Sequence, residues 1–572
     1  MQRKEYYFFE RDKGVTISCC CGIMQLMDCD LRPRRLQLRD IIARLLQTAF
    51  FVWTLALSIN SSALFLADTI LPSVPFKEIS LLSFPAALVL TFFLMRAVPL
   101  PEAPSSFLLL CAAGAVTFLL WPVGFDIWSP ASIDWDGANV IGITAALLHY
   151  ESHKTVMEAQ YSLHWGGSLW TYPWGFSGVT AGVAQLFQLE SSQAAALVHF
   201  ICNFLIITAV GTITIRMGSG PVFAAASAFI AAMLISVLIY RNYWTQSAGI
   251  LILLACMSTA PFSSVSIAAR LATGLLIIGM GYIYPLYVPP LISALLIYWI
   301  VLLKRPVIPA LMNAAFLTAL SSAFVLLSWR AQMNRLTYHG GPDILDDATV
   351  AVFLAALIPV AVYTLLMRKL ADGQVCFAAL LLLIVLINGV SLYIYSVHGY
   401  WGDKLLLSSA IIGLPIAASL CSAGKGRKTL LRTGYFAAAT FAFFVLYKFA
   451  PTYKLHNAAF NGESREILQC LLNNRTERGP YILGGRYDRA WHEALLFPRT
   501  PPAPEDYESI VTNWQGDFVK TIASWIEDQM LSGDIVAVIP PTLRSYLPQL
   551  SNAGAFEVLC SNSKGLVVRT YK

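Results

Sequence analysis

Residues 192–215 read SQAAALVHFICNFLIITAVGTITI. The stretch carries no Asp, Glu, Lys or Arg and is long enough to cross about 30 Å of hydrocarbon as a helix. Similar apolar stretches recur on both sides, at 45–67, 80–97, 106–123, 221–240, 246–262, 268–286, 287–303, 306–328, 349–367, 374–396, 405–422 and 431–450. The pair around 268–303 is set apart only by Tyr284-Pro285 and Pro289-Pro290. The 572 residues are 57% hydrophobic and 13% charged, against roughly 25% charged in soluble domains. The fold class that follows is a polytopic α-helical membrane protein of about 13 transmembrane helices.

Basic residues orient these spans. Arg32, Arg34, Arg35, Arg39 and Arg44 precede the first span, which sets residues 1–44 as a cytoplasmic amino-terminal tail. Arg96, Arg216, Lys304-Arg305, Arg368-Lys369 and Lys425–Lys428 then mark alternate loops, and after the sixth span the only basic residue is Arg270, at the edge of the seventh. An odd number of spans follows, and the carboxyl end lies outside. The net charge of +6 is spread over short loops rather than one face, which argues against a nucleic-acid partner. The expected location is a membrane, crossed many times.

Residues 45–450 form the multi-span domain in this reading. Residues 451–572 regain Pro, Asn and charge, and read as a small extracytoplasmic α/β domain. Its expected parts are strands at 481–484 and 534–539, a helix at 516–532, and a terminal hairpin of 556–560 with 565–570. Cys470 and Cys560 are the cysteines that face an oxidising compartment, where a disulfide can form. No internal repeat is visible, which weakens the case for a transporter built of duplicated halves.

The longest internal loop, 124–191, falls on the outer side and holds Asp134-Trp135-Asp136. Long loops in compact proteins are usually functional, and carboxylates at a membrane surface mark chemistry or a polar path. Residues 138–150 have helical periodicity, so capping of that helix is the competing reading for Asp136. Asp134 has no such alternative role. Trp165, Trp170, Tyr172 and Trp174 follow, either as interfacial anchors or as a stacking surface for sugar rings. His149 and His153 only loosely match a metalloprotease helix, because Glu151 stands one position late.

The outer loop 329–348 contains Arg330 and Arg335, which either belong to a solvated ion-paired loop or neutralise a lipid phosphate. The loop 395–404 ends in Tyr400-Trp401-Gly402-Asp403-Lys404, with His398 just before. A lysine on the outer side runs against the positive-inside bias. Snorkelling explains it in one reading. In the other, Lys404 with Tyr400 and His398 binds the phosphate of a lipid carrier, and Arg241 and Tyr243-Trp244 join the same chamber.

The acidic pair, the many spans and the terminal outer domain together resemble the GT-C class of glycosyltransferases. Asp134-Trp135-Asp136, followed by Tyr172-Pro173-Trp174-Gly175-Phe176, is similar to the pattern of mycobacterial arabinofuranosyltransferases, and Tyr400-Trp401-x-x-Lys404 to an aromatic-aromatic-x-x-Lys element of such enzymes. The acidic loop follows the third span, whereas many GT-C enzymes carry it after the first. The resemblance implies transfer of a sugar, arabinofuranose in the finer form, from a polyprenyl-phosphate donor to an envelope glycan or protein. It assigns Asp134 or Asp136 as base, with Lys404, Arg330 and Arg335 on the donor phosphate and inversion at the anomeric carbon. A divalent cation between the acidic pair and the phosphate fits, but two carboxylates do not identify one. The competing functions are a transporter or flippase of a lipid-linked saccharide, and a non-catalytic envelope assembly protein.

Overall fold

The computed structural model describes residues 38–70, 76–98, 140–141, 143–144, 147–148, 175–217, 219–240, 244–263, 266–297, 299–300, 306–327, 399–422, 462–474, 481–482, 535–539, 556–563 and 565–570. Most of the expected spans that fall on these residues are helices close to the expected bounds. They are α1 (Leu38–Ile70), α2 (Phe76–Ala97), α4 (Ser191–Arg216), α5 (Pro221–Tyr240), α6 (Trp244–Thr259), α7 (Ile267–Ile283), α8 (Val288–Ile297), α9 (Val307–Leu327) and α10 (Gly399–Ser422). The spans expected at 106–123, 349–367, 374–396 and 431–450 lie outside the described residues.

Two expectations change. The loop expected over 124–191 contains a further helix, α3 (Gly175–Phe187), whose residues from Gly175 to Ala184 are all buried. At 13 residues it is about 20 Å long, too short for a search tuned to a spanning length, and its Ser, Thr and Gly content dilutes its hydropathy. It packs against α1 and α4. The second change concerns 395–404: residues from Gly399 onward are already helical, so Tyr400 and Lys404 lie on α10 rather than in a loop. Also within 124–191, the helical pattern read over 138–150 is met where it can be observed. Val140, Ile141, Ile143, Thr144 and Leu147 are helical and buried.

Prolines explain the break between α7 and α8. Pro285 opens a single 3-10 turn, Pro285–Tyr287, and Pro289 and Pro290 fall in the first turn of α8, where the missing amide hydrogens have no intrahelical partner to lose. At the other end of α7, the Ser266 hydroxyl caps the helix by accepting from the Ala269 amide at 3.3 Å. Arg270 Nε donates to the Ser263 carbonyl at 3.1 Å and closes the α6–α7 turn. Between α3 and α4 the reversal uses Gln188 at φ 54° and a capping box of Glu190 with Gln193.

The bundle tolerates many hydroxyls because they bond back to their own helix. Thr54 reaches the Phe50 carbonyl at 2.8 Å, Ser58 that of Thr54 at 2.9 Å and Thr180 that of Phe176 at 2.8 Å. Helices approach closely at small residues, as membrane helices do. Gly279 lies against Ser58 of α1, and Gly281 against the Ser321 backbone of α9. Glu78–Arg96 and Gln193–Arg216 each have the length and hydropathy of a membrane span. Leu82, Leu88, Val89 and Phe92 on α2, and Ile308, Met312 and Phe316 on α9, are exposed. A bilayer would cover such faces.

Beyond the bundle, helix α11 (Gly462–Asn473) packs on a four-stranded sheet of order β1-β2-β4-β3. The strands are β1 (Tyr481–Ile482), β2 (Ile535–Ile539), β3 (Phe556–Asn562) and β4 (Gly565–Thr570). β1 is parallel to β2, and the expected hairpin pairs β3 antiparallel to β4. The helix expected at 516–532 lies outside the described residues. Ile467 and Leu471 of α11 meet Val536 and Val567 of the sheet in a small core.

Cys470 and Cys560 form a disulfide that joins α11 to β3, with Cα atoms 6.6 Å apart. It closes a loop of 90 residues, for which chain entropy gives a stabilisation of about 4–5 kcal/mol. Paired replacement by serine is therefore expected to make this unit protease-sensitive under conditions where the native unit resists. Limited proteolysis with and without reductant checks it, and equal resistance of both forms would show that the small core suffices.

Candidate functional site

A layer of neutral, almost completely buried polar side chains runs from the first turn of α6 and the turn before α8 to the middle of α4 and α10. His199 and Asn203 stand four apart on α4. His199 Nε2 is 3.2 Å from Ser247 Oγ of α6 and 3.1 Å from Asn203 Nδ2. Its ring lies 5.6 Å from that of Trp244, centroid to centroid. Gln246 Nε2 donates to Ser408 Oγ of α10 at 3.1 Å. The Tyr287 hydroxyl, from the turn before α8, is hydrogen-bonded to the same Ser408. Its ring packs on that of Tyr284 at 4.5 Å.

The local sequence makes this layer possible. Gly249 of α6 leaves room for both tyrosines, since a Cβ there would stand 2.9 Å from Tyr284 Cβ and from Tyr287 Cε2. The prolines after Ile283 end α7 at the depth of α6's first turns, which brings Tyr284 and Tyr287 against that helix. At the opposite end of the bundle Ser422 Oγ is 3.3 Å from Ser219 Oγ, and Ser419 Oγ donates to the Met217 carbonyl at 3.4 Å. α10 is thus tied near its middle through Ser408 and at its inner end through Ser419 and Ser422, by hydroxyls in each case.

The layer is continuous with α3. A Cβ on Gly175 would stand 2.5 Å from Ile283 Cγ1 and 2.6 Å from Ser61 Cβ, so glycine at this position admits the start of α3 beside the end of α7. Ser177 Oγ in turn donates to the Val140 carbonyl at 3.5 Å. Side-chain atoms of Asn60 and Asn203 Oδ1 are buried in this half of the bundle without a hydrogen-bond partner.

Of the residues singled out in the sequence, Tyr400 and Lys404 fall on the first two turns of α10. Lys404 precedes Ser408 by four positions, one helical turn. Trp244 is buried in the first turn of α6 rather than set in a loop. Asp134, Asp136, Trp165, Trp170, Tyr172, Trp174, Arg330, Arg335 and His398 lie outside the described residues. Among the described residues no group of three or more His, Cys, Asp or Glu is placed to hold a metal ion. Sequence reading missed His199, Asn203, Gln246, Tyr284, Tyr287 and Ser408. The available signal was neutral polar residues in the first turns of successive spans, as in Thr245-Gln246-Ser247 and Ser408-Ser409.

No protein-family model matches the chain, and no curated protein does. Solved structures do. ArnT from Cupriavidus metallidurans in the apo state matches with a TM-score of 0.50 at 14% identity, over 80% of this chain and 97% of that one. The Archaeoglobus fulgidus oligosaccharyltransferase in the apo form matches with a TM-score of 0.48 at 12% identity, over 77% and 71% of the two chains. The archaeal oligosaccharyltransferase AglB from Archaeoglobus fulgidus, in complex with an inhibitory peptide and a dolichol-phosphate, matches with a TM-score of 0.47 at 12% identity, over 78% and 70%. The likeness to ArnT is one of fold.

Proposed function

We propose that this protein is a membrane glycosyltransferase of the GT-C type. It moves a sugar from a polyprenyl-phosphate donor to an envelope glycan or protein, on the outer face of a bacterial inner membrane. The observation that carries the reading is the buried polar layer shared by α4, α6, α10 and the turn before α8, because Lys404, Trp174 and Asp136 are each a short stretch of chain from it or from the helices beside it. By the distribution of basic residues it lies toward the outer end of the bundle. Lys404 is one helical turn, about 6 Å of rise, from Ser408. Trp174 is covalently joined to Gly175. Asp136 is four residues from Val140, so the chain between them reaches at most about 14 Å.

In this reading Asp136 or Asp134 takes the proton of the acceptor hydroxyl. The acceptor oxygen attacks the anomeric carbon, and the bond from that carbon to the phosphate oxygen breaks. Polyprenyl phosphate leaves with the electron pair, and the configuration inverts. Lys404, with Arg330, Arg335, His398 and Tyr400, holds the phosphate and balances the charge that develops on it. Trp165, Trp170, Tyr172 and Trp174 offer faces for the sugars. The Asp-x-Asp and Tyr-Pro-x-Gly-aromatic segments favour arabinofuranose as the sugar. The carboxyl-terminal sheet and its disulfide belong to the extracytoplasmic side, where they contact the acceptor.

Transfer of label from polyprenyl-phosphate-arabinose in membranes tests this, with wild type and Lys404→Gln at matched expression. The variant is expected to raise the donor KM about 10- to 100-fold, the range for losing a charge-assisted hydrogen bond. Unchanged kinetics would remove Lys404 from the site. Failure of wild type to use any polyprenyl-phosphate sugar would remove the transferase reading.

A further inference from the structure

Pro415 lies inside α10. It has no amide hydrogen to donate to the carbonyl four residues earlier, so the helix is weakened between its two halves. The inner half is held to the end of α4 through Ser419 and Ser422. Along its length α10 packs mainly on α4 and α5. Among the described residues, Ser408 links it to α6 and to the α7–α8 junction, through hydrogen bonds to Gln246 and Tyr287. These three residues are separated by 162 and 121 positions in the chain and are all nearly inaccessible to solvent.

We propose that Gln246, Tyr287 and Ser408 form a latch that fixes the outer half of α10, and that they are positioning residues for the lipid-phosphate donor. The donor part rests on the transferase reading above. The physical reason is geometric. Lys404 is four residues outward of Ser408 and on the far side of Pro415 from the inner anchor, so nothing in the ladder of α10 alone sets its position against α6 and α8. A buried hydroxyl that accepts from Gln246 and is hydrogen-bonded to Tyr287 sets it in two directions at once. Losing either bond removes one of the ties that hold α10 against its neighbours.

The test uses the full chain in lipid nanodiscs. Tyr287→Phe keeps the ring against Tyr284 and removes only the hydroxyl. Ser408→Ala removes the shared centre. Thr273→Val is the comparison, since it breaks an equally buried bond to Thr259, 2.8 Å long, between α6 and α7 at the other end of the bundle. Amide hydrogen exchange over residues 399–407 is expected to rise about tenfold in Tyr287→Phe and Ser408→Ala and to stay at the wild-type rate in Thr273→Val. With polyprenyl-phosphate-arabinose the two latch variants are expected to raise the donor KM about tenfold with kcat within about twofold. Exchange unchanged by both variants, or raised equally by Thr273→Val, overturns the latch whatever the transfer assay gives. Raised exchange with unchanged donor KM overturns the positioning role. Raised exchange with no transfer by wild type from any such donor upholds the latch and sinks the transferase reading instead.

Discussion

Asp136→Asn is expected to lower sugar transfer by about a thousandfold at matched expression, with donor KM little changed. The choice of asparagine separates chemistry from capping. Asp136 precedes a segment that is helical where it is described, from Val140 onward, and asparagine caps a helix about as well as aspartate does. A residue that only capped would therefore leave both stability and transfer intact in this variant. A residue that takes a proton loses its function, because an amide does not accept one at neutral pH. Asp134→Asn made in parallel ranks the pair: the base is the one whose replacement lowers kcat. Full activity in both variants would exclude the acidic pair from the chemistry.

Gly281→Ala is expected to abolish folded protein, a loss beyond about 3 kcal/mol and so at the upper end of overpacking. A Cβ at this position runs into the backbone carbonyl of Ser321 on α9, and a main chain cannot rotate aside as a side chain does. The contact is pinned nearby by the Tyr282 hydroxyl, which donates to the Leu320 carbonyl at 3.0 Å, so α9 cannot slide away without breaking it. Gly274→Ala, on the same helix, meets only Leu317 Cδ2 at 3.8 Å, an ordinary contact, and is expected to be tolerated. Size-exclusion profiles and melting temperatures in detergent compare the two, and equal stability would mean that α7 and α9 are not packed as closely as described.

The helical bundle was legible in the sequence because a bilayer imposes a length and a composition on each span. α4 and α5 follow their expected bounds to within a residue for this reason. α3 was not legible, because it is too short to span and is rich in glycine and hydroxyls. Its place against α1 depends on Gly175 and Gly178 being small, which no hydropathy window registers. The start of α10 was missed for a related reason: Tyr400-Trp401-Gly402-Asp403-Lys404 has the polarity of a loop. The polar layer of the site was hidden by distance along the chain. Gln246, Tyr287 and Ser408 are each an ordinary neutral residue in its own span, and only packing brings them to one hydroxyl. Most of the motif residues read from the sequence lie beyond the described residues.

The Cys470–Cys560 bond also sets a clock on biogenesis. With 90 residues between its ends and synthesis at about 5–20 residues per second, Cys470 waits roughly 5–20 s for its partner. Cys202, Cys256 and Cys421 are buried in the bundle and are poor competitors for it in that interval. On the proposed outer location, the thiol meets the envelope's oxidants before the sheet that will shelter it is complete. The interval is when a cell short of oxidising capacity would first mature this protein wrongly.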